Sequence, residues 1–223
     1  MLVLMLSVPA WAREALPAGA VLVVGDSLSA GYGVAADQAW PALVDTRWRA
    51  QGLPYRVVNA SVSGQTSAGG RALLARALDS AHPVLVVVQL GANDALRGQN
   101  LSATADNLTA IVNASRAAGA RVLLAGIELP PNYGARYTQR LRDMYRDVAA
   151  ATGAALMPFL LADIAGDRAL FQPDGLHPTA AGLERVADAV ARALDTHFRL
   201  TGAQAGGAGS EPAAPAPATQ TAE

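Results

Sequence analysis

Val84-Leu85-Val86-Val87-Val88 is an unbroken apolar run in which four of five side chains are β-branched. Such side chains are stiff at χ1 and favour strands over helices. The run lacks the polar alternation of a half-exposed strand. A strand of this kind is buried on both faces, as in parallel sheets. Ala20-Val21-Leu22-Val23-Val24 nearly repeats the pattern. The full set of expected strands is 20–24, 55–59, 83–89, 121–126 and 154–159. Helices are expected near 38–51, 70–80, 103–118, 136–152 and 179–198. In the last, Leu183, Val186, Val190 and Leu194 recur every three to four residues and form one apolar stripe. Strands alternating with helices predict a three-layer α/β/α domain with right-handed crossovers.

The ends of the chain differ from its middle. Residues 1–12 form an apolar run closing in Ala10-Trp11-Ala12, a small-x-small cleavage pattern, although the first basic residue is Arg13. An export signal is the expectation for 1–12. From Thr201 the sequence turns to Gly, Ala, Pro, Ser and Thr without periodicity. A segment of that composition cannot bury enough apolar surface to offset its ordering entropy, so 201–223 is expected to be a disordered tail. The folded domain is placed at 13–200.

Composition removes several function classes. The formal net charge is −1, which gives no basic footprint for nucleic acid. There is no Cys, which excludes disulfides, thiolate catalysis and Cys-based metal sites. His82, His177 and His197 are too far apart for a His-x-x-x-His metal motif.

In open α/β sheets, sites form beyond the carboxyl ends of the strands. Three consecutive strand ends carry unusual residues here. The first is followed by Asp26-Ser27, the second by Ser61-Val62-Ser63-Gly64-Gln65-Thr66, and the third by Gly91-Ala92-Asn93-Asp94. Far downstream, Asp174-Gly175-Leu176-His177-Pro178 offers an acid and an imidazole three residues apart. Singly, each has a plain reading: Ser27 as a helix cap, Gly64 and Asn93 as turn residues, Asp174 and His177 as a capping loop. Together they supply an activated serine. His177 would take the Ser27 proton, and Asp174 would fix the imidazole tautomer. Ser27 should open a helix, so its N–H can face a developing oxyanion, with Gly64 N–H and the Asn93 amide as further donors. Walls for an acyl group are expected from Leu28, Tyr32, Asp94, Leu96, Leu129, Pro130 and Tyr133, the last three within the post-strand stretch 127–133 that begins with Ile127 and Glu128.

Gly25-Asp26-Ser27-Leu28, Gly64, Gly91-x-Asn93-Asp94 and Asp174-x-x-His177-Pro178 resemble the four sequence blocks of the SGNH, or GDSL, hydrolase family. The stretches 25–33, 39–43, 59–66 and 129–134 resemble its bacterial group of multifunctional acyl-CoA thioesterases, arylesterases and lysophospholipases. The resemblance implies a flavodoxin-like five-stranded parallel sheet of order 2-1-3-4-5. It implies Ser27, Asp174 and His177 as catalytic residues, and Ser27, Gly64 and Asn93 as the oxyanion hole. No metal or organic cofactor is implied. It further implies a periplasmic or secreted enzyme that acts on small acyl esters and thioesters. A monomer is expected, without nucleic-acid partners and without stable membrane insertion after signal removal. Ala92 stands where this group usually has a second Gly, which would stiffen the segment 94–98. Two other functions fit the same scaffold: a carbohydrate O-deacetylase and a non-catalytic α/β binding protein.

Overall fold

A computed structural model describes residues 16–200; the expected export signal and tail lie outside the described residues. Five parallel strands form one sheet: β1 Gly19–Gly25, β2 Tyr55–Asn59, β3 Pro83–Gln89, β4 Arg121–Ala125 and β5 Ala155–Met157. Their order is β2-β1-β3-β4-β5, as the resemblance implied. The register pairs Val21 with Val57 on one side of β1, and Val24 with Val88 and Gly25 with Gln89 on the other.

The period of two along each strand sorts the core into two layers. Val21, Val23, Leu85, Val87 and Leu123 face α2 (Trp40–Ala50) and α7 (Ala180–Phe198). Leu22, Val24, Val86, Val88 and Leu124 face α3 (Ser67–Ala81), α5 (Leu101–Ala117) and α6 (Ala135–Thr152). The stripe expected on the last helix is the buried face of α7, where Leu183, Val186, Val190 and Leu194 are each 2% exposed or less. Thr66, Asn100 and Thr179 start α3, α5 and α7 by accepting backbone N–H groups of the first turn. None of these helices is long and apolar enough to cross a membrane.

The sequence expectations differ at element ends. β5 stops at Met157 because Pro158 has no N–H to continue the ladder. The chain instead closes on Gly126, which donates to Met157 O and accepts from Leu160 N. Two short helices follow strands directly: α1 (Ser27–Ala30) after β1 and α4 (Ala92–Leu96) after β3. The segment expected to be a loop over 94–98 therefore begins inside α4.

Candidate active site

Asp26 leaves β1 in an extended conformation and caps α1, its carboxylate accepting the Leu28 N–H at 3.0 Å. Ser27 is thus the first helical residue, where the backbone N–H has no partner within the helix. Behind this turn lies a buried polar cluster. Ser29 Oγ donates to Gln89 Oε1 at 2.7 Å and accepts from Trp40 Nε1 at 3.2 Å. Asn59 Nδ2 donates to Ser29 O at 2.9 Å, tying the end of β2 to the same turn.

The segment after β2 stays against β1, with Val62 N donating to Gly25 O. It then turns at Gly64, whose φ of +78° is costly for a residue with a side chain. Two groups from beyond β3 hold this turn. Asn93 Nδ2 donates to Gln65 O at 3.1 Å, and Arg97 Nη2 donates to Gly64 O at 3.0 Å. The Asn93 bond orients its amide and leaves the second N–H of that nitrogen available.

His177 reaches the site from the loop before α7. Its Nε2 lies 2.9 Å from Ser27 Oγ, and its Nδ1 lies 2.7 Å from Asp174 Oδ2. With Nδ1–H donating to Asp174, Nε2 is free to accept the Ser27 hydroxyl proton. The loop is pinned on both sides. Gln172 N donates to His177 O, Gln172 Nε2 donates to Tyr32 O and Pro178 O, and Arg168 donates to the carbonyls of Phe171, Gln172 and Pro173. The Tyr32 ring lies over the imidazole, with centroids 4.5 Å apart.

The acids around this centre are in different states. Partial burial works against charge on Asp174. The N–H of His177, its imidazole and the N–H of Leu176 outweigh that and hold the carboxyl at about 2. Asp26 is 1% exposed. Burial pushes it up to about 6, against the opposing effects of the Leu28 N–H, the Gln89 side chain and the His177 charge.

A cleft of about 340 Å³ opens on this cluster. Ser27, Gly64, Asn93 and His177 line its polar end. Leu28, Tyr32, Leu96, Ile127, Leu129 and Pro130 form much of the rest. A larger adjoining cavity of about 450 Å³ shares Glu128, Leu129, Pro130, Leu161 and Leu176 but contains none of the Ser27 cluster.

The structure thus brings together Ser27, Gly64, Asn93, Asp174 and His177, and places five of the seven expected wall residues on the cleft. Asp94 and Tyr133 are corrections. Asp94 is 1% exposed and is consumed by other groups: the Ser67 N–H, the Ser67 hydroxyl and Thr104 Oγ1. A buried carboxylate needs such partners, so it braces α4 against α3 and α5 and is absent from the cleft wall. Tyr133 sits in a short 3₁₀ turn, is 38% exposed and does not line the cleft. Sequence reasoning missed Ser63, Ala92, Leu161 and Leu176 as lining residues. Leu161 follows the fifth strand, so the strand-end rule contained a signal for it.

Comparison with known proteins gives consistent results. Residues 23–185 match the model of the GDSL-like lipase/acylhydrolase family. The chain is 47% identical over 170 residues to the esterase TesA of Pseudomonas aeruginosa, covering 76% of this chain and 85% of that protein. It is 39% identical over 181 residues to thioesterase 1/protease 1/lysophospholipase L1 of Escherichia coli, covering 81% and 86%. The crystal structure of the psychrotrophic esterase EstA from Pseudoalteromonas sp., inhibited by monoethylphosphonate, superimposes with a TM-score of 0.77 at 36% identity, covering 80% of this chain and 97% of that one.

Proposed function

This chain belongs to the GDSL-like lipase/acylhydrolase family, and we propose that it hydrolyses acyl esters and thioesters through an acyl intermediate on Ser27. Its relatives are esterases and thioesterases, so the carbohydrate deacetylase and the non-catalytic binding protein are not favoured. The observation that carries the residue assignment is the continuous path from Asp174 Oδ2 to His177 Nδ1 at 2.7 Å and from His177 Nε2 to Ser27 Oγ at 2.9 Å, at the head of an apolar cleft.

In this reading Ser27 Oγ attacks the acyl carbonyl and its proton passes to His177 Nε2. The new oxyanion is met by the Ser27 N–H, the Gly64 N–H and the spare Asn93 N–H. Asp174 holds Nδ1–H and stabilises the imidazolium. Collapse expels the alcohol or thiol, which takes the proton from Nε2. Water then attacks the acyl-serine by the same route and frees the acid. The acyl chain lies against Leu28, Leu96, Ile127 and Leu129. The apolar stretch 1–12 fits an exported enzyme, and the domain is read as a monomer.

An activated organophosphonate tests the assignment. One adduct per chain on Ser27, with loss of p-nitrophenyl butyrate hydrolysis, is expected. Mapping of the adduct to Ser61 or Ser63 would refute it.

A further inference from the structure

Asp26 touches the site but has no part in the reaction described above. It is 1% exposed, adjoins Ser27 in sequence and lines the same cleft. Its Oδ1 caps α1 by accepting the Leu28 N–H. A cap requires an acceptor, not a charge, and asparagine caps as well as aspartate. Burial makes the charge unfavourable here and raises the carboxyl to about 6. Oδ2 closes no hydrogen bond among the described residues, although the Gln89 side chain helps favour the carboxylate. A neutral cap would therefore satisfy α1 at lower cost, and the carboxylate needs another reason.

The charges around Asp26 supply one. Asp94 on α4 opposes its ionisation. Tyr145 on α6 is held neutral by burial, its hydroxyl donating to Leu90 O. The favourable charge facing Asp26 is that of His177. His177 itself holds Asp174 on Nδ1, contacts Ser27 on Nε2 and carries the Tyr32 ring on its face. Asp26 precedes the serine that Nε2 contacts and lines the same cleft as Ser27 and His177.

We propose that Asp26 is a positioning residue for His177: a buried carboxylate beside the nucleophile in the same cleft, whose negative charge favours the imidazolium formed when Ser27 gives up its proton. Asp26 takes no proton from the substrate; the proton still passes from Ser27 Oγ to Nε2 and on to the leaving group. The inference rests on the assignment of Ser27 and His177 made above.

The pH dependence of kcat/KM reports ionisations of the free enzyme, where no oxyanion competes for the charge. The test therefore compares p-nitrophenyl butyrate hydrolysis across pH by the full chain, by Asp26→Asn and by His177→Ala. Asn keeps the cap and removes the charge. The expected result is a folded variant whose acid limb moves to lower pH by about half a unit or more, with a severalfold lower kcat. His177→Ala should be inactive. An Asp26→Asn profile that superimposes on the wild type beside an inactive His177→Ala overturns this inference alone. Full activity in His177→Ala overturns the base assignment, and this inference with it. Should Asp26→Asn fail to fold, Asp26→Ser, another cap former, carries the same comparison.

Discussion

Gly25 ends β1 directly behind the turn that presents Ser27, and a single methyl group there should disturb both stability and catalysis. A Cβ would lie 2.7 Å from Ser29 Oγ, 2.8 Å from Ser29 Cβ and 2.9 Å from Gln89 Oε1. Ser29 and Gln89 are both 0% exposed. Ser29 Oγ is committed to Gln89 Oε1 and Trp40 Nε1, so neither side chain can swing aside without breaking a buried bond. Overpacking of a core position costs about 1–3 kcal/mol. Stranding the Trp40 N–H or the Gln89 acceptor costs about 1–3 kcal/mol more. For a domain of this size each kcal/mol lowers Tm by about 2–4 °C, so the combined cost of about 2–6 kcal/mol should lower the Tm of Gly25→Ala by roughly 4–24 °C. Some of the strain can be relieved by lifting α1. That draws Ser27 away from its 2.9 Å contact with His177, and kcat then falls out of proportion to Tm. Circular dichroism melts and p-nitrophenyl butyrate kinetics measure the two outcomes. Ser29→Gly removes the two closest atoms, so in the double variant the two changes should cost less than their sum. A Gly25→Ala chain with wild-type Tm and wild-type kcat would refute the reasoning.

Two acids should bend the stability curve in opposite directions. Asp26 titrates near 6 in the fold against 3.8 when unperturbed, so the folded state holds its proton more tightly. Stability should fall as pH rises from about 4 to about 6, and urea melts of Asp26→Asn should lack that slope and show a gain of up to about 3 kcal/mol at neutral pH. Asp174, lowered to about 2, should add stability above its unfolded value of 3.8 and lose it as pH falls through 2. That effect should be small, because its side chain is 39% exposed. Gly64→Ala has space, the nearest atom being Arg97 Nη2 at 3.6 Å, but must hold φ near +78°. It should cost about 1–2 kcal/mol in a denaturant melt, and kcat should drop tenfold or more as the turn relaxes and moves the Gly64 N–H; unchanged kcat would mean that the turn keeps its shape with a methyl group present. Asn93→Ala should lower kcat by about 10²–10³ with a smaller change in KM, and a loss confined to KM would make it a binding residue.

The β-branched runs made the sheet legible because burial on both faces leaves a mark that needs no knowledge of partners. The polar end of the site was legible for a related reason. Ser27, Gly64 and Asn93 stand just past strand ends, and a parallel sheet collects its strand ends on one edge. Asp94 shows where such reasoning stops. Position relative to a strand says nothing about side-chain direction, and the first turn of α4 carries Asn93 outward while Asp94 goes inward to Ser67 and Thr104. Leu176 was hidden differently. It sits inside the Asp174–His177 motif, but its place on the cleft depends on the loop fold set by Arg168 and Gln172, contacts without a local sequence pattern. The charge state of Asp26 was likewise invisible, because it arises from burial in the fold, where residues as distant in sequence as Gln89 and His177 act on it.

Ser27 and His177 meet across a separation of 150 residues. Synthesis proceeds from the amino terminus, so the serine emerges long before the imidazole that would activate it. A growing chain of this kind is chemically silent: it displays a hydroxyl no more reactive than any other surface serine. On the proposed assignment, that serine becomes reactive only once the loop before α7 is docked, with Arg47 of α2 paired to Glu184 and Asp188. On the same assignment, premature termination or a break that releases that last segment leaves a product without its general base. Ester turnover by the purified chain, measured against a Ser27→Ala control, would therefore count finished molecules.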